Sequence, residues 1–347
     1  MNSTQFFTEQ EITSQPGAWH QTLGQLAQHG LEGFPGIQHY KQVLFIGCGS
    51  TYYLSIWAAR ATQAATGVMC RPLPSSELML FPDTWLMPKG ETLLVALSRS
   101  GETSETLEAL EAFKAAGRGH ALAITCYPES TLAARCQHLI SVPAGQEQSV
   151  AQTRSFTNMM LGVASLVQGA PSSSVLESIP TGARELLQSS PSIAATLGQD
   201  NSIQRFFYLG SHALFGLASE AMLKMKEMSL SYAEAFHFLE FRHGPMSMIS
   251  EESLVVGLLG QPASDYEMAV LRDMKAMGAK LVAVAPHDAL PATGVVDHLI
   301  PFPRTGAGIW EQVFYLPALQ LMAYERALAK GFNPDRPKNL EAVVVIE

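Results

Sequence analysis

Thr92-Leu93-Leu94-Val95-Ala96-Leu97-Ser98-Arg99-Ser100-Gly101-Glu102-Thr103 passes from an unbroken apolar run into a stretch dense in hydroxyls. An amphipathic run, Thr106 to Phe113, follows it. The order reads as strand, loop, helix. Such a loop offers Ser and Thr hydroxyls beside the free backbone N–H groups of a helix N-terminus. Those groups hold a phosphate dianion without a lysine. A capping box would use the same Ser-Gly-Glu-Thr residues, so this loop alone leaves both readings open.

The same order recurs along the chain. The spacing of Trp19, Leu23 and Leu26 predicts an opening helix from Pro16 to Gln28, and a Gly/Pro-rich loop from Gly30 to Gly36 follows. Val43-Leu44-Phe45-Ile46 reads as a buried strand ended by Gly47-Cys48-Gly49-Ser50-Thr51, with a helix from Tyr52 to about Thr66. Further strands are expected at Ala121 to Thr125 and near Leu139 to Val142. A second half repeats the plan: strand Phe206 to Leu209, then Gly210-Ser211, then a helix from Ala213 to about Leu230. Strands at Leu254 to Leu258, Lys280 to Val284 and His298 to Ile300 complete it. Strands alternating with helices imply an α/β fold with parallel sheets covered on both faces.

Ligands of such sheets bind at the carboxyl ends of the strands. Two hydroxyl loops, Gly49-Ser50-Thr51 and Ser98 to Thr103, fall at such ends, which favours a phosphate site over capping alone. Gly47-Cys48-Gly49 lacks the third glycine of a dinucleotide fingerprint, and no Walker loop is present.

Composition narrows the function classes. The 347 residues carry 22 Lys and Arg against 31 Asp and Glu, a net charge of −9. With no basic cluster, nucleic acid is not expected as the main partner. The first residues have neither the basic nor the apolar region of a signal peptide, and no apolar run reaches a membrane-spanning length. Cys48, Cys70, Cys126 and Cys136 show no C-x-x-C pairing and read as reduced thiols of a cytoplasmic protein. No metal-ligand spacing is evident, and neither a metal nor another cofactor is expected.

A second constellation lies downstream. Glu220, Lys224 and Glu227 fall at i, i+4 and i+7, on one face of a helix otherwise rich in Met and Leu. A solvated ion-pair stripe has this pattern too, but Met222, Leu223, Met225 and Met228 suggest partial enclosure. His243 precedes Gly244-Pro245 on an expected turn, where it is an acid–base candidate.

Together these motifs resemble the sugar isomerase (SIS) family, and most of all the isomerase half of glucosamine-6-phosphate synthase. They comprise Gly47 to Thr51, Ser98 to Thr103, Glu220 to Glu227 and Phe241-Arg242-His243-Gly244-Pro245. The resemblance runs from Glu11 to Glu347. It implies two tandem flavodoxin-like αβα units: a helical segment over 1–30, a first, phosphate-binding SIS domain over 31–170, a linker over 171–200, a second SIS domain over 201–332 and a tail over 333–347. It further implies a homodimer with sites shared between subunits.

Carried over by position, the resemblance gives Ser50, Thr51, Ser98, Ser100 and Thr103 to the phosphate, with Arg99 where the synthase has glutamine. Val150 and Glu220 line the sugar site. Glu227 moves a proton between C1 and C2 with Lys224 beside it, and His243 opens the sugar ring. Two departures shape the expected reaction. The chain begins Met1-Asn2-Ser3, without the synthase's glutaminase domain, and Ala342 stands where the synthase has a Schiff-base lysine. The expectation is therefore the SIS-type deamination of glucosamine 6-phosphate to fructose 6-phosphate, with N-acetylglucosamine 6-phosphate as an effector. The alternatives are a fructosamine-6-phosphate deglycase and a plain phosphosugar aldose–ketose isomerase. A non-catalytic phosphosugar sensor belongs to a different class, and such proteins usually carry a DNA-binding domain.

Overall fold

A computed structural model describes residues 6–28, 31, 33–87, 91–260, 265–291 and 294–342. The start of the Gly30–Gly36 loop and the final apolar run, Val343 to Ile346, lie wholly or partly outside these residues. The chain divides into two compact units, each built on one sheet. The first comprises Gly17–Glu147, Arg154–Ile179 and Glu341–Glu347; the second comprises Met1–Pro16, Gln148–Thr153 and Pro180–Leu340.

The first unit holds β1 (Gln42–Gly47), β2 (Met69–Pro74), β3 (Thr92–Leu97), β4 (Gly119–Thr125) and β5 (His138–Ser141). They form a parallel sheet in the order β2-β1-β3-β4-β5. The central pair aligns Gln42 with Thr92. Every residue of β1 and β3 is buried, as the unbroken apolar runs require of strands covered on both faces. Complete burial of a residue such as Leu44, Phe45 or Ile46 contributes roughly 1.5–3 kcal/mol each. The expected opening helix runs Gln15–Gln28, and Trp19, Leu23 and Leu26 are all buried. Trp19 Nε1 donates to Thr157 Oγ1 at 2.9 Å, which satisfies the indole as its ring enters the core.

The second unit repeats the plan with β6 (Arg205–Gly210), β7 (Tyr232–Phe236), β8 (Ser253–Leu258), β9 (Lys280–Pro286) and β10 (His298–Phe302). Their order, β10-β9-β8-β6-β7, is that of the first sheet, with β6 in the place of β1. The chain order reverses direction between β1 and β3, and again between β6 and β8. Those are the crevices where a doubly wound sheet binds its ligand.

Two of the four edge strands, β2 and β7, have no counterpart in the expected elements. β2 is Met-Cys-Arg-Pro-Leu-Pro, with Met69 and Arg71 exposed. Proline cannot donate to a ladder on both sides, so an edge is the place in a sheet that tolerates it. β7 is Tyr-Ala-Glu-Ala-Phe, with only Ala233 buried. The segment between the sheets folds as two helices, Ser173–Ser189 and Pro191–Gly198. A short helix, Phe7–Thr13, precedes the predicted opening helix.

Candidate active site

β1 ends at Gly47, and the Ser50–Thr66 helix begins three residues later. A Cβ on Gly47 would lie 2.5 Å from the Thr51 carbonyl, so only glycine lets the strand turn this tightly into the helix. Thr51 closes the turn on itself. Its Oγ1 donates to the Cys48 carbonyl at 2.9 Å and accepts from Cys48 N, also at 2.9 Å. Ser50 and Thr51 are both buried in the first turn.

The second loop follows β3. Ser98 Oγ accepts from Gly101 N at 3.0 Å, and Ser100 Oγ accepts from Glu102 N at 3.2 Å. These bonds wind the backbone before the Ser104–Ala116 helix. Gly101 adopts φ 70°, and a Cβ there would collide with the Ser130 side chain. Thr103 is the N-cap residue but its side chain makes no capping bond. Glu102 turns away as well, its Oε1 accepting from Thr131 N at 2.7 Å. No capping box forms, so that alternative for this stretch is set aside. β1 and β3 are neighbours, so the two hydroxyl loops share one stretch of the sheet's carboxyl edge.

Arg99 is buried within this loop at 8% exposure. Its Nη1 lies 3.4 Å from Glu147 Oε2, and its Nη2 donates to the Ala342 carbonyl at 3.1 Å. Glu147 also accepts from Ser155 N and Oγ, at 3.1 and 2.5 Å. The guanidinium thus ties the loop to the tail at the position that the synthase resemblance assigns to a lysine. Glu147 and Ser155 were not among the sequence candidates. Arg99, the partner of Glu147, is 48 residues from it in the chain, and no local pattern signals the pair.

The remaining candidates belong to the second unit. The Leu214–Ser229 helix carries Glu220, Lys224 and Glu227. The enclosure suggested by the surrounding methionines is more complete than expected, since the Glu220 and Lys224 side chains are fully buried. Lys224 Nζ lies 3.3 Å from Glu220 Oε1 and 2.5 Å from Glu227 Oε2. Burial alone would push the ammonium down, but the two carboxylates outweigh it and hold its pKa above the ordinary lysine value. Glu227 retains 18% side-chain exposure. It is therefore a carboxylate anchored by a buried cation with an edge open to solvent.

His243 lies on the expected turn, between the short helical turns Glu240–Arg242 and Pro245–Met248. Its side chain is exposed, while its neighbours are fixed. Phe241 is wholly buried among the apolar residues of this unit, and Arg242 Nε donates to Asp273 Oδ2 at 2.9 Å. Val150 lies in a segment bound at both sides. Its N–H donates to the Asp335 carbonyl at 3.0 Å, and Glu11 accepts from Gln148 N and from the neighbouring Ser149 hydroxyl. The Asp335 carboxylate accepts from Phe7 N, Thr8 N and Thr8 Oγ1 at 2.7–2.9 Å, capping the first helix.

The six hydroxyl-loop candidates thus sit together on one sheet edge. Glu220, Lys224 and Glu227 form a second cluster on one helix. The four cysteines are free thiols, and burial pushes Cys70 and Cys136 up to about 12. Among the described residues no group of three or more His, Cys, Asp or Glu is placed to hold a metal ion, and no helix is long and apolar enough to cross a membrane.

Comparison with known proteins points in one direction. A family profile described as SIS domain matches residues 36–168 and 201–298. The glutamine–fructose-6-phosphate aminotransferase (isomerizing) of Xanthomonas campestris is 29% identical over 365 residues, covering 98% of this chain and 59% of that protein. That of Gloeobacter violaceus is 30% identical over 323 residues, covering 88% of this chain and 52% of that protein. The chain spans between half and three fifths of the length of these two curated relatives. Among solved structures, a tagatose-6-phosphate ketose/aldose isomerase from Escherichia coli superposes with a TM-score of 0.83 at 23% identity, over 100% of this chain and 98% of that one. A glucosamine-6-phosphate deaminase from Thermotoga maritima gives 0.76 at 24% identity, over 98% and 100%. At such identities the likeness is one of fold.

Proposed function

From the premise that this chain belongs to the SIS domain family, we propose that it is a phosphosugar enzyme. Its reaction is the deaminating isomerisation of glucosamine 6-phosphate to fructose 6-phosphate and ammonia. The observation that carries this reading is Glu227, a carboxylate with one edge open to solvent, pinned by the buried Lys224. Such a group has a fixed position and an accessible oxygen edge, as a base that moves one proton between adjacent carbons requires.

In the proposed reaction the phosphate is held by the hydroxyls and backbone N–H groups of the Ser50–Thr51 and Ser98–Thr103 loops. His243 opens the pyranose by carrying a proton between O1 and the ring oxygen. Glu227 then takes the proton from C2, leaving an enolamine, and returns it to C1. The resulting C2 iminium adds water and expels ammonia, giving fructose 6-phosphate. The substrate brings its own nitrogen, so no enzyme imine is needed. That agrees with Ala342 at the tail position, where its carbonyl accepts from Arg99. The same proposal includes a homodimer and activation by N-acetylglucosamine 6-phosphate.

The test is product analysis with purified protein on glucosamine 6-phosphate, with and without N-acetylglucosamine 6-phosphate. One ammonia and one fructose 6-phosphate per substrate consumed is the expected result. Turnover of a fructosamine 6-phosphate, or of an unaminated aldose phosphate, with no ammonia from glucosamine 6-phosphate would replace the reading by a deglycase or an aldose–ketose isomerase. Sedimentation checks the dimer.

A further inference from the structure

Because the second sheet repeats the strand order of the first, it owns a crevice of its own where β6 and β8 part. A cavity of about 550 Å³ occupies that place, beyond the carboxyl ends of β6, β8, β9 and β10. It belongs wholly to the second unit, and none of the candidates described above lines it.

Its chemistry differs from that of the hydroxyl loops. Arg304 lines the cavity and is held from two sides: Nε donates to Asp288 Oδ1 at 3.0 Å, and Nη1 donates to Glu311 Oε1 at 2.6 Å. The third nitrogen, Nη2, is buried and has no hydrogen-bond partner among the described residues. Buried polar groups are nearly always satisfied, and a ligand oxygen in the cavity would satisfy this donor. Glu311 is itself fixed, its Oε2 accepting from Thr305 N and Oγ1 at 3.1 and 2.9 Å. Glu267 and Glu311 both line the cavity and are only 7% and 6% exposed. Ser211 and Gln312 add neutral donors and acceptors.

Asp288 and Glu311 on the guanidinium and Glu267 on the cavity wall make three carboxylates to one arginine, with His212 a further titratable side chain of the lining. A phosphate dianion would meet net negative charge here, whereas an ammonium group would be attracted to it. Hydroxyl oxygens suit Arg304 Nη2, Gln312 and Ser211. A volume of this size falls within the range of small-molecule sites. We propose that this cleft is a second binding site for a small polyhydroxylated molecule that carries a protonated amine and no phosphate, such as a free amino sugar. The proposal does not depend on the reaction assigned to the first site.

Calorimetric titration of the full chain with glucosamine and with glucose tests it. Glucosamine is expected to bind once per chain and at least tenfold more tightly than glucose. Saturating glucosamine 6-phosphate is expected to leave that isotherm in place. The Glu267→Gln variant, with an unchanged melting temperature, is expected to lose at least tenfold in glucosamine affinity. Should Glu267→Gln not fold, Gln312→Ala takes its place, with a loss of a few fold expected. Absence of glucosamine binding, equal affinity for glucose, displacement by glucosamine 6-phosphate, or full affinity in the folded variant would each overturn the assignment.

Discussion

The two sheets share a strand order but place opposite chemistry at their carboxyl edges. The first presents Ser50, Thr51, Ser98, Ser100 and Thr103 with backbone amides, and its one loop arginine is engaged by Glu147. The second presents Glu267, Glu311 and Arg304 in one cavity lining. In the readings proposed above, one edge takes an anion and the other takes hydroxyls and a cation. The fold explains where each crevice lies, and only the residues placed there decide what enters. A duplicated architecture therefore allows the two edges to take up different ligands on a common frame.

The largest expected effect separates the helix carboxylates from both edges. Glu227→Gln is expected to lower kcat on glucosamine 6-phosphate by about 10²–10⁴-fold, the usual contribution of a positioned acid–base group. Substrate binding, followed by calorimetry, should survive, because the phosphate loops are untouched. Near-full turnover would remove Glu227 from the chemistry.

Lys224→Met probes the same cluster through stability. It leaves the wholly buried Glu220 without its cation, and breaking a buried pair in this way costs about 3–5 kcal/mol. Denaturant unfolding reads that loss. A double change to Glu220→Met and Lys224→Met is expected to recover much of it, since well-packed apolar residues replace both charges. If the single variant were as stable as the parent, the cluster would not be the buried pair described.

The first edge itself is sharpened by Ser98→Ala and Ser100→Ala. Each removes a hydroxyl that closes the loop and, in the proposal, faces the phosphate. Each is expected to raise KM for glucosamine 6-phosphate about tenfold, the equivalent of roughly 1.4 kcal/mol. Glucosamine binding at the second edge should be unaffected. If both ligands weakened together, the two edges would not be independent.

A further expected effect is in pH. Cys70 and Cys136 are raised to about 12 by burial, and Lys224 is held above its ordinary value by Glu220 and Glu227. In each case the folded state binds the proton more tightly than the unfolded chain. Their stabilising contributions are therefore complete below the unfolded pKa values and are lost as pH rises through the folded ones. The thiols begin to act near pH ~8.5 and the lysine near ~10.4. Thermal stability is expected to fall steadily from about pH 8.5 upward, with Cys70→Ser or Cys136→Ser flattening the slope. A melting temperature independent of pH between 8.5 and 11 would contradict this.

The sequence was most legible where structure depends on near neighbours. The apolar runs of β1, β3, β6 and β8 announce strands covered on both faces, and the glycine and hydroxyl residues after them announce the turns. The i, i+4, i+7 spacing placed Glu220, Lys224 and Glu227 on one face. The edge strands β2 and β7 were illegible because half-exposed residues and the prolines of β2 erase the apolar signal. The supports of the site were illegible for another reason. Glu147 with Arg99, Glu11 with Gln148, and Asp335 with Thr8 join residues 48, 137 and 327 positions apart, and no local pattern records such pairs. The acidic second crevice was missed because Glu267, Arg304 and Glu311 converge only when β8, β9 and β10 lie side by side.

The most direct test of the central claim is ammonia release from glucosamine 6-phosphate by the parent protein and Glu227→Gln, measured side by side with fructose 6-phosphate. Equimolar products are expected from the parent, with a rate at least 10²-fold lower in the variant and its fold intact. No ammonia from the parent, or equal rates in the two proteins, would contradict it.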